Sequence, residues 1–232
     1  MVKLVRRRCA IPVAVALCAA LAAASEKPVV PPAGEFHEAL LAVIATYPTD
    51  GTHAYWWPKD SAWAGTTRDL VYQGQVVAEG DPQGRCYCCG LTFEVFFRAW
   101  EKWCTDRKRT FRIGDLTAEA LLAMRGLWYG SGADGDRTLI RHALVTHRLG
   151  FAVDSLADAR PGDFVQFWRK SGSGHSVVFQ AWVRGADGGI RGIRYWSCQK
   201  ATQGIGVREE EFGGEQGVDP AQVYVARVGL KP

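Results

Sequence analysis

The chain crowds three cysteines into residues 86–89 of the stretch CYCCGL, and apolar and aromatic residues follow at once. Thiols at this spacing can serve three chemistries: a zinc site, a disulfide or a nucleophile. A structural zinc site needs four ligands, usually as two spaced pairs. Cys86 and Cys89 form one such pair, but Cys104 and Cys198 stand alone. We therefore expect no metal and no cofactor, while a disulfide among these cysteines stays open.

Cys88 is the candidate nucleophile, because it stands at the predicted start of a helix. Leu91, Val95, Trp100 and Trp103 follow it as an apolar stripe at helical spacing. The unpaired N–H groups and the dipole at a helix N-terminus stabilise a thiolate and lower its pKa. Such a thiolate needs a base, usually a histidine that folding brings close.

The five histidines differ in where the sequence places them. His37 lies in a predicted helix, His53 in an aromatic loop, and His142 and His147 in another predicted helix. His175 follows the glycine-rich turn SGSG and begins the strand HSVVF, so its imidazole would stand at a fixed strand end open to a cleft. His175 is therefore the candidate base, and a polar residue of the turn is the alternative.

Helices come first in the predicted order and strands follow. We predict helices at about 35–47, 88–105, 117–128 and 136–149, with Gly150 placed to end the last of them. Two short extended pieces, RDLVYQG and QVVAEG, precede the second helix. The later strands are DFVQFW, HSVVFQAWV, GIRYWSCQ, IGVREEEF and QVYVARV. Helices followed by an antiparallel meander define an α+β fold.

Three separated motifs resemble those of the NlpC/P60 family of papain-like cysteine peptidases. YCCGL (87–91) is similar to the family's Asp-Cys-Ser-Gly-Leu stretch, which aligns Cys88 with the nucleophile. RPGDFVQFW (160–168) resembles its Pro-Gly-Asp strand. GHSVVF (174–179) resembles its histidine strand, which aligns His175 with the base. The order of the motifs along the chain also agrees.

The resemblance spans about residues 68–225 and implies a papain-like fold with thiolate catalysis. Tyr72, in the stretch YQG, matches a tyrosine that often lines the family's site. The chain departs from the pattern in three places. Tyr87 stands where Asp is usual, Cys89 stands where Ser is usual, and no histidine follows His175 as a third residue. These departures leave the subfamily and the substrate open and also allow a related CHAP-type amidase.

A third polar residue should orient the imidazole, and the next strand, GIRYWSCQK, supplies candidates. Tyr195, Ser197 and Gln199 alternate onto one face of this strand. Ser197 and Gln199 are the candidates, and Gln199 is favoured because its amide oxygen can accept the imidazole N–H. An exposed residue at a strand end is the alternative for Gln199.

The first residues indicate export. Residues 1–24 combine a basic start, an apolar run at 10–21 and small residues before Ser25, as in a secretory signal peptide. The run is short for a membrane anchor, which needs about 20 apolar residues. A twin-arginine signal and lipid attachment at Cys18 are further alternatives. We expect a secreted, periplasmic or cell-envelope protein that is not in the membrane after the signal is removed.

Charge and size restrict the class of protein further. Without the four basic residues of the leader, 24 basic residues face 24 acidic ones, so nothing favours a nucleic-acid partner. Five cysteines remain, an odd number, so at least one thiol cannot pair within the chain. We divide the mature chain into a linker, helix and aromatic loop at 25–67 and a catalytic domain at 68–232.

The sequence thus predicts an exported cysteine hydrolase, a peptidase or amidase, that cleaves amide bonds by acyl transfer between Cys88 and His175. The family resemblance and the export signal imply peptidoglycan peptides as the substrate. Two alternatives belong to other classes: a catalytically inactive wall-binding or interaction module on the same fold, and a disulfide-stabilised structural protein. The aromatic loop HAYWWPKDSAW could line a groove or pack as a flap.

Overall fold

The chain folds into helices and strands within residues 29–58, 63–131 and 135–231, which a computed structural model describes. The helices are α1 (Ala33–Ile44), α2 (Cys88–Asp106), α3 (Ala118–Tyr129) and α4 (Ile140–Thr146). The strands are β1 (Leu70–Tyr72), β2 (Gln75–Ala78), β3 (Gly150–Val153), β4 (Phe164–Arg169), β5 (Gly174–Arg184), β6 (Ile190–Gln199), β7 (Gly204–Glu211) and β8 (Val218–Val228). The predicted α+β class is confirmed, and the predicted signal peptide lies outside the described residues. None of the described helices is long and apolar enough to cross a bilayer.

Six strands form one antiparallel sheet in the order β3-β8-β4-β5-β6-β7, and β1 and β2 form a separate hairpin. Strands β4 to β7 make four strands of the predicted meander, since each pairs with the next. The fifth predicted strand, QVYVARV, does not continue the meander, because β8 returns to lie between β3 and β4. Because neighbouring strands run in opposite directions, the start of β5 and the end of β6 meet at one end of the sheet. That end carries His175 and Gln199.

Helix α2 forms the centre of the core, because aromatic side chains cover it on several sides. Its Phe96 and Trp100 are fully buried. Phe36 of α1 packs against Trp100 with 5.6 Å between ring centroids, and Trp128 of α3 packs against Phe96 at 5.2 Å. Phe164 of β4 lies 5.1 Å from the Trp128 ring and so connects the helices to the sheet. The helix that begins at Cys88 is therefore fixed on all of these sides.

A buried carboxylate on α2 ties the segment before residue 68 to the same core. Glu94 is fully buried and accepts hydrogen bonds from the Tyr47 hydroxyl at 2.7 Å and from both the N–H and the hydroxyl of Thr67 at 2.7 Å. Arg68 Nε lies 3.7 Å from one carboxylate oxygen. These contacts satisfy a charge that burial would otherwise make costly. The stretch that we assigned to a linker, helix and aromatic loop at 25–67 thus contributes core contacts to α2.

The region around α4 differs from our prediction. The helix predicted at 136–149 is only Ile140–Thr146, and Leu139 before it has a positive φ of 39°. Gly150 does not end that helix but opens β3, which the sequence analysis missed. A Cβ at Gly150 would lie 2.3 Å from the carbonyl oxygen of Arg227 in β8. Close pairing of two strands therefore explains this glycine.

The Pro-Gly-Asp motif before β4 has a structural role. Asp163 is fully buried and accepts hydrogen bonds from Arg227 Nε at 2.7 Å and Nη2 at 2.8 Å, and from the N–H of Arg160 at 2.7 Å. His37 of α1 lies beside it, with 3.1 Å between Nε2 and Oδ1. Burial raises the pKa of Asp163, but Arg227 and His37 outweigh it and hold the pKa below its usual range. The motif thus joins β4, β8 and α1.

Candidate active site

Three of the sequence-predicted site residues line one cleft of about 590 Å³: Cys88, His175 and Gln199. One wall belongs to the sheet and carries His175 on β5 and Gln199 at the end of β6. The other wall carries Cys88 with two aromatic side chains, Tyr55 and Trp57. The cleft therefore lies between the start of α2 and one end of the sheet.

Cys88 is the first residue of α2, and the residue before it fixes the helix start. The first N–H groups of an α-helix have no partner within the helix. Tyr87, which is extended (φ −138°, ψ 170°), does not cap those of α2 with its side chain. Its ring packs against Trp57, Trp63 and Tyr129 at centroid distances of 4.5, 5.1 and 6.3 Å. The aromatic loop thus both packs against the helix start and lines the cleft, through Trp57.

Two glycines allow the chain to close over this helix start. A Cβ on Gly90 would lie 2.2 Å from the carbonyl oxygen of Gly65. Gly65 has a positive φ of 75°, and a Cβ there would lie 2.2 Å from the Tyr87 ring. The glycine of the CCGL stretch is therefore required by close backbone approach, which keeps the turn that bears Cys88 in place.

The surroundings of Cys88 favour its thiolate. The hydrogen bond from the Cys89 thiol is the largest contribution, and with the charge and hydrogen bond of His175 it outweighs burial and lowers the pKa of Cys88 well below its usual value. The N–H of Ser176 also donates to the Cys88 sulfur. The same hydrogen bond and burial raise the pKa of Cys89 well above its usual value. Cys89 therefore stays protonated and acts as the donor, while Cys88 carries the negative charge.

A chain of hydrogen bonds orients the imidazole. The Thr202 hydroxyl donates to the carbonyl oxygen of Gly204 at 2.7 Å, so its oxygen is free to accept from Gln199 Nε2 at 2.9 Å. The other amide atom, Gln199 Oε1, lies 2.9 Å from His175 Nε2 and accepts its N–H. Nδ1 is then the ring nitrogen left for the Cys88 sulfur. This arrangement fixes both the ring orientation and the tautomer.

Packing also holds the ring in place. His175 is only 6% exposed and lies 5.6 Å from the Phe167 ring and 5.5 Å from the Tyr195 ring. Phe167 is the partner of His175 in the β4–β5 register. The Tyr195 hydroxyl donates a short hydrogen bond to Glu210, which anchors that ring from behind. Of the five histidines, all of them described, His175 is the one that lines the cleft.

Ser197 has a different role from the one considered for it. Its hydroxyl is fully buried and donates to the carbonyl oxygen of Ser176 at 2.8 Å. Ser176 is the residue whose N–H faces the Cys88 sulfur. Ser197 therefore holds a backbone donor of the site, while Gln199 is the residue that contacts the imidazole.

Tyr72 does not line the cleft. It is 1% exposed, and its hydroxyl donates to the carbonyl oxygen of Leu116 at 3.1 Å and accepts from the N–H of Ile113 at 3.0 Å. Its ring packs against Phe97 and Phe111 within the helical core. Tyr72 thus connects β1 to the loop before α3 and contributes to packing.

Tyr55 is the tyrosine of the cleft, and the sequence analysis missed it. Backbone hydrogen bonds on either side of it join the aromatic loop to Cys86, from Cys86 N to Ala54 O at 3.1 Å and from Trp56 N to Cys86 O at 3.0 Å. Burial first, and then the neighbouring thiols led by Cys88, raise the pKa of Tyr55. Its hydroxyl therefore stays protonated and is available as a donor beside the thiolate.

The other cysteines are thiols, and none forms a disulfide within the described residues. Cys86 and Cys198 are both buried, and the Cys198 thiol donates to the carbonyl oxygen of Cys86 at 3.2 Å. The Cys104 sulfur lies 3.8 Å from the carbonyl oxygen of Arg112. Across the described ranges, no group of three or more His, Cys, Asp or Glu side chains is arranged to hold a metal ion.

A thiolate at a helix start, facing an imidazole whose far nitrogen is held by an amide, is an arrangement suited to nucleophilic acyl transfer. Comparison of the chain with protein-family models, with curated proteins and with solved structures found no match.

Proposed function

We propose that the protein is an exported cysteine hydrolase of the papain-like, NlpC/P60-related type, which cleaves amide bonds through a thioester intermediate. The observation that carries the proposal is a series of hydrogen bonds. The Cys88 thiolate is hydrogen-bonded to His175, and His175 is hydrogen-bonded to Gln199. A cysteine that served only packing would gain nothing from an oriented imidazole beside it.

In the first half of the reaction, the Cys88 thiolate attacks the amide carbonyl carbon and forms the carbon–sulfur bond. The carbonyl oxygen takes up the electron pair, and the unpaired N–H groups at the start of α2, with the Tyr55 hydroxyl, are its donors. His175 then gives its proton to the leaving nitrogen as the carbon–nitrogen bond breaks. The products are a free amine and an acyl thioester on Cys88.

In the second half, His175 is neutral and accepts a proton from water as that water attacks the thioester. The carbon–sulfur bond breaks, the carboxylic acid leaves, and the Cys88 thiolate and protonated His175 are restored. Gln199 accepts the same ring N–H throughout, so it keeps Nδ1 directed at the sulfur in both halves.

Peptidoglycan peptides are the substrate class we propose. Two features support this choice: the secretory character of the first residues, and the three motifs that resemble the NlpC/P60 peptidases.

The test is alkylation of the folded mature protein by iodoacetamide between pH 5 and 9, with the labelled cysteine identified by peptide mass spectrometry. We expect Cys88 to be alkylated well below pH 8, while Cys89, whose thiol stays protonated, is alkylated slowly. His175→Ala should slow the reaction of Cys88 at low pH, and His147→Ala, outside the cleft, is the matched control. Wall peptides are then screened for cleavage.

Two results would contradict the proposal. If Cys88 were inert in the folded protein, or equally reactive with and without His175, the thiolate–imidazole pair would not be functional. A reactive Cys88 without hydrolysis of any wall peptide would leave the chemistry in place and remove peptidoglycan as the substrate.

A further inference from the structure

Basic side chains gather around the candidate cleft although the chain without its leader has balanced charges. Arg169, Lys200 and Arg208 line the cleft, and none of the described residues that line it is acidic. They come from three places in the sheet: the end of β4, the residue after β6 and the middle of β7. Folding rather than local composition therefore concentrates positive charge at this site.

One of the three cations is already paired. Arg169 donates to Glu210 through Nε at 2.8 Å and Nη2 at 2.6 Å, and its side chain is only 19% exposed. Glu210 is 8% exposed and lies behind the cleft, where it also accepts from Tyr195. The charges of Arg169 and Glu210 therefore neutralise each other, and the pair supports the packing behind His175.

The other two cations, Arg208 and Lys200, have N–H donors that make no hydrogen bond within the described residues. The closest approach of Arg208 to an acidic group is 3.8 Å, from Nε to Glu210, and its side chain is 39% exposed. Because side chains alternate along a strand, Arg208 and Glu210 share the cleft side of β7, whereas Glu209 pairs with Arg194. Lys200 is exposed and forms no ion pair or hydrogen bond through its ammonium group within the described part of the chain. Among the described residues, Lys200 thus has no acidic partner, and Arg208 has only a long contact to a carboxylate that Arg169 already binds.

We infer that the cleft selects anionic substrates: the amide that Cys88 attacks lies close to a carboxylate, which Arg208 and Lys200 bind. This inference rests on the proposed hydrolase function and adds its substrate class. A guanidinium with free N–H groups binds a carboxylate through two parallel hydrogen bonds, and an ammonium adds a point charge. Tyr55 and Trp57 on the opposite wall would contact the uncharged part of the substrate.

The test compares two reagents that alkylate the same sulfur and differ in charge. Iodoacetate is an anion and iodoacetamide is its neutral counterpart. The two alkylation rates at Cys88 are measured separately by peptide mass spectrometry. The rate with iodoacetate is divided by the rate with iodoacetamide, and this ratio is divided by the same ratio for N-acetylcysteine. We expect a normalised ratio of about five or more at low salt, since each nearby cation favours an anion by roughly two- to threefold.

Variants show which groups cause this preference. Arg208→Gln and Lys200→Gln should each lower the normalised ratio by roughly two- to threefold, and the double variant should lower it further. Because both reagents react with the same thiolate, the ratio is independent of any change in the thiolate fraction, and an unchanged circular dichroism spectrum shows that the fold is intact. Arg184→Gln is the matched control, because Arg184 lies at the far end of β5 from His175.

The outcomes separate the two proposals. If the double variant prefers iodoacetate as strongly as the unsubstituted protein, the anion site is wrong, while alkylation by iodoacetamide still supports the hydrolase. If Arg184→Gln lowers the ratio as much as the cleft variants, the effect reflects net charge and the anion site is again wrong. If neither reagent alkylates Cys88, both proposals fall together.

Discussion

Replacing Gln199 by alanine tests the assigned orientation of the imidazole. The change removes the oxygen that lies 2.9 Å from His175 Nε2 and leaves that N–H without its acceptor in a site that is 6% exposed. A hydrogen bond to a charged group contributes about 1.5–3 kcal/mol and one between neutral groups about 0.5–1.5 kcal/mol. The protonated ring therefore loses about 1–1.5 kcal/mol more than the neutral ring. The balance between the thiolate–imidazolium pair and the neutral thiol–imidazole pair should therefore shift toward the neutral pair by about 1–1.5 kcal/mol, and about 1.4 kcal/mol is a factor of ten.

The assay is the rate of Cys88 alkylation by iodoacetamide as a function of pH. We expect the rate near neutral pH to fall severalfold in Gln199→Ala, and at most about tenfold, because a smaller share of the molecules holds the thiolate. Gln199→Glu is the matched control, because it keeps an acceptor at the same reach and adds a negative charge that favours the protonated ring. Its rate near neutral pH should be at least that of the unsubstituted protein. Thr202→Val, which removes the group that orients the amide, should give an intermediate rate.

The rates of the two variants at residue 199 distinguish a positioning role from a structural one. A rate unchanged in Gln199→Ala would show that the amide does not support the imidazole. A rate lowered equally by alanine and by glutamate would mean that the substitutions only disturb packing at the end of β6. In either case Gln199 would be a structural residue of the strand end and not a positioning residue of the site.

Two further predictions concern stability. Asp163→Asn should lower the free energy of unfolding at neutral pH by about 3–5 kcal/mol, because it leaves Arg227 buried without its partner. The pKa of Asp163 is lowered by folding, so its contribution is full above the ordinary value of about 3.9 and is lost as the pH falls through the folded value. Urea titrations should thus show that the free energy of unfolding falls below about pH 4, and that it falls less in the variant. An equal fall in the two proteins would contradict this. Tyr47→Phe removes one hydrogen bond to Glu94 and should cost about 1.5–3 kcal/mol at an unchanged m-value, and no change in midpoint would refute the role of that contact.

Periodicity predicted the elements that carry the candidate site well. The apolar stripe after Cys88 predicted a helix over 88–105, and α2 spans Cys88–Asp106. The glycine turn before HSVVF predicted a strand at His175, and β5 begins one residue earlier, at Gly174. Both signals are local, since a helix face and a tight turn are written in neighbouring residues.

Features that depend on distant contacts were not predictable in the same way. Tyr72 and Tyr55 are both tyrosines in loop-rich sequence, and only the long-range pairing of the aromatic loop with Cys86 brings Tyr55 into the cleft. Strand β3 is four residues long and depends for its hydrogen bonds on β8, which follows much later in the sequence. Its starting glycine therefore resembled a helix stop in sequence.

The choice between two candidates on one strand shows the same limit. Alternation along β6 put Ser197 and Gln199 on one face, as the sequence predicted, but it could not show which one reaches the imidazole. The answer depends on side-chain length and on a competing acceptor: the short hydroxyl of Ser197 is taken by the carbonyl oxygen of Ser176. Gln199 has the reach, and Thr202 holds its amide in the required direction.

The two walls of the cleft come from parts of the chain that are far apart in sequence. Helix α2 is made early in synthesis, while the strands that bring His175 and Gln199 to it are made late. Until those strands have formed, Cys88 has neither the charge and hydrogen bond of His175 nor the N–H of Ser176, which add to the effect of Cys89 and help to lower its pKa. The low pKa of this thiol therefore depends in part on completed folding. The nucleophile that we propose is thus less reactive in an unfinished or misfolded copy than in the folded protein.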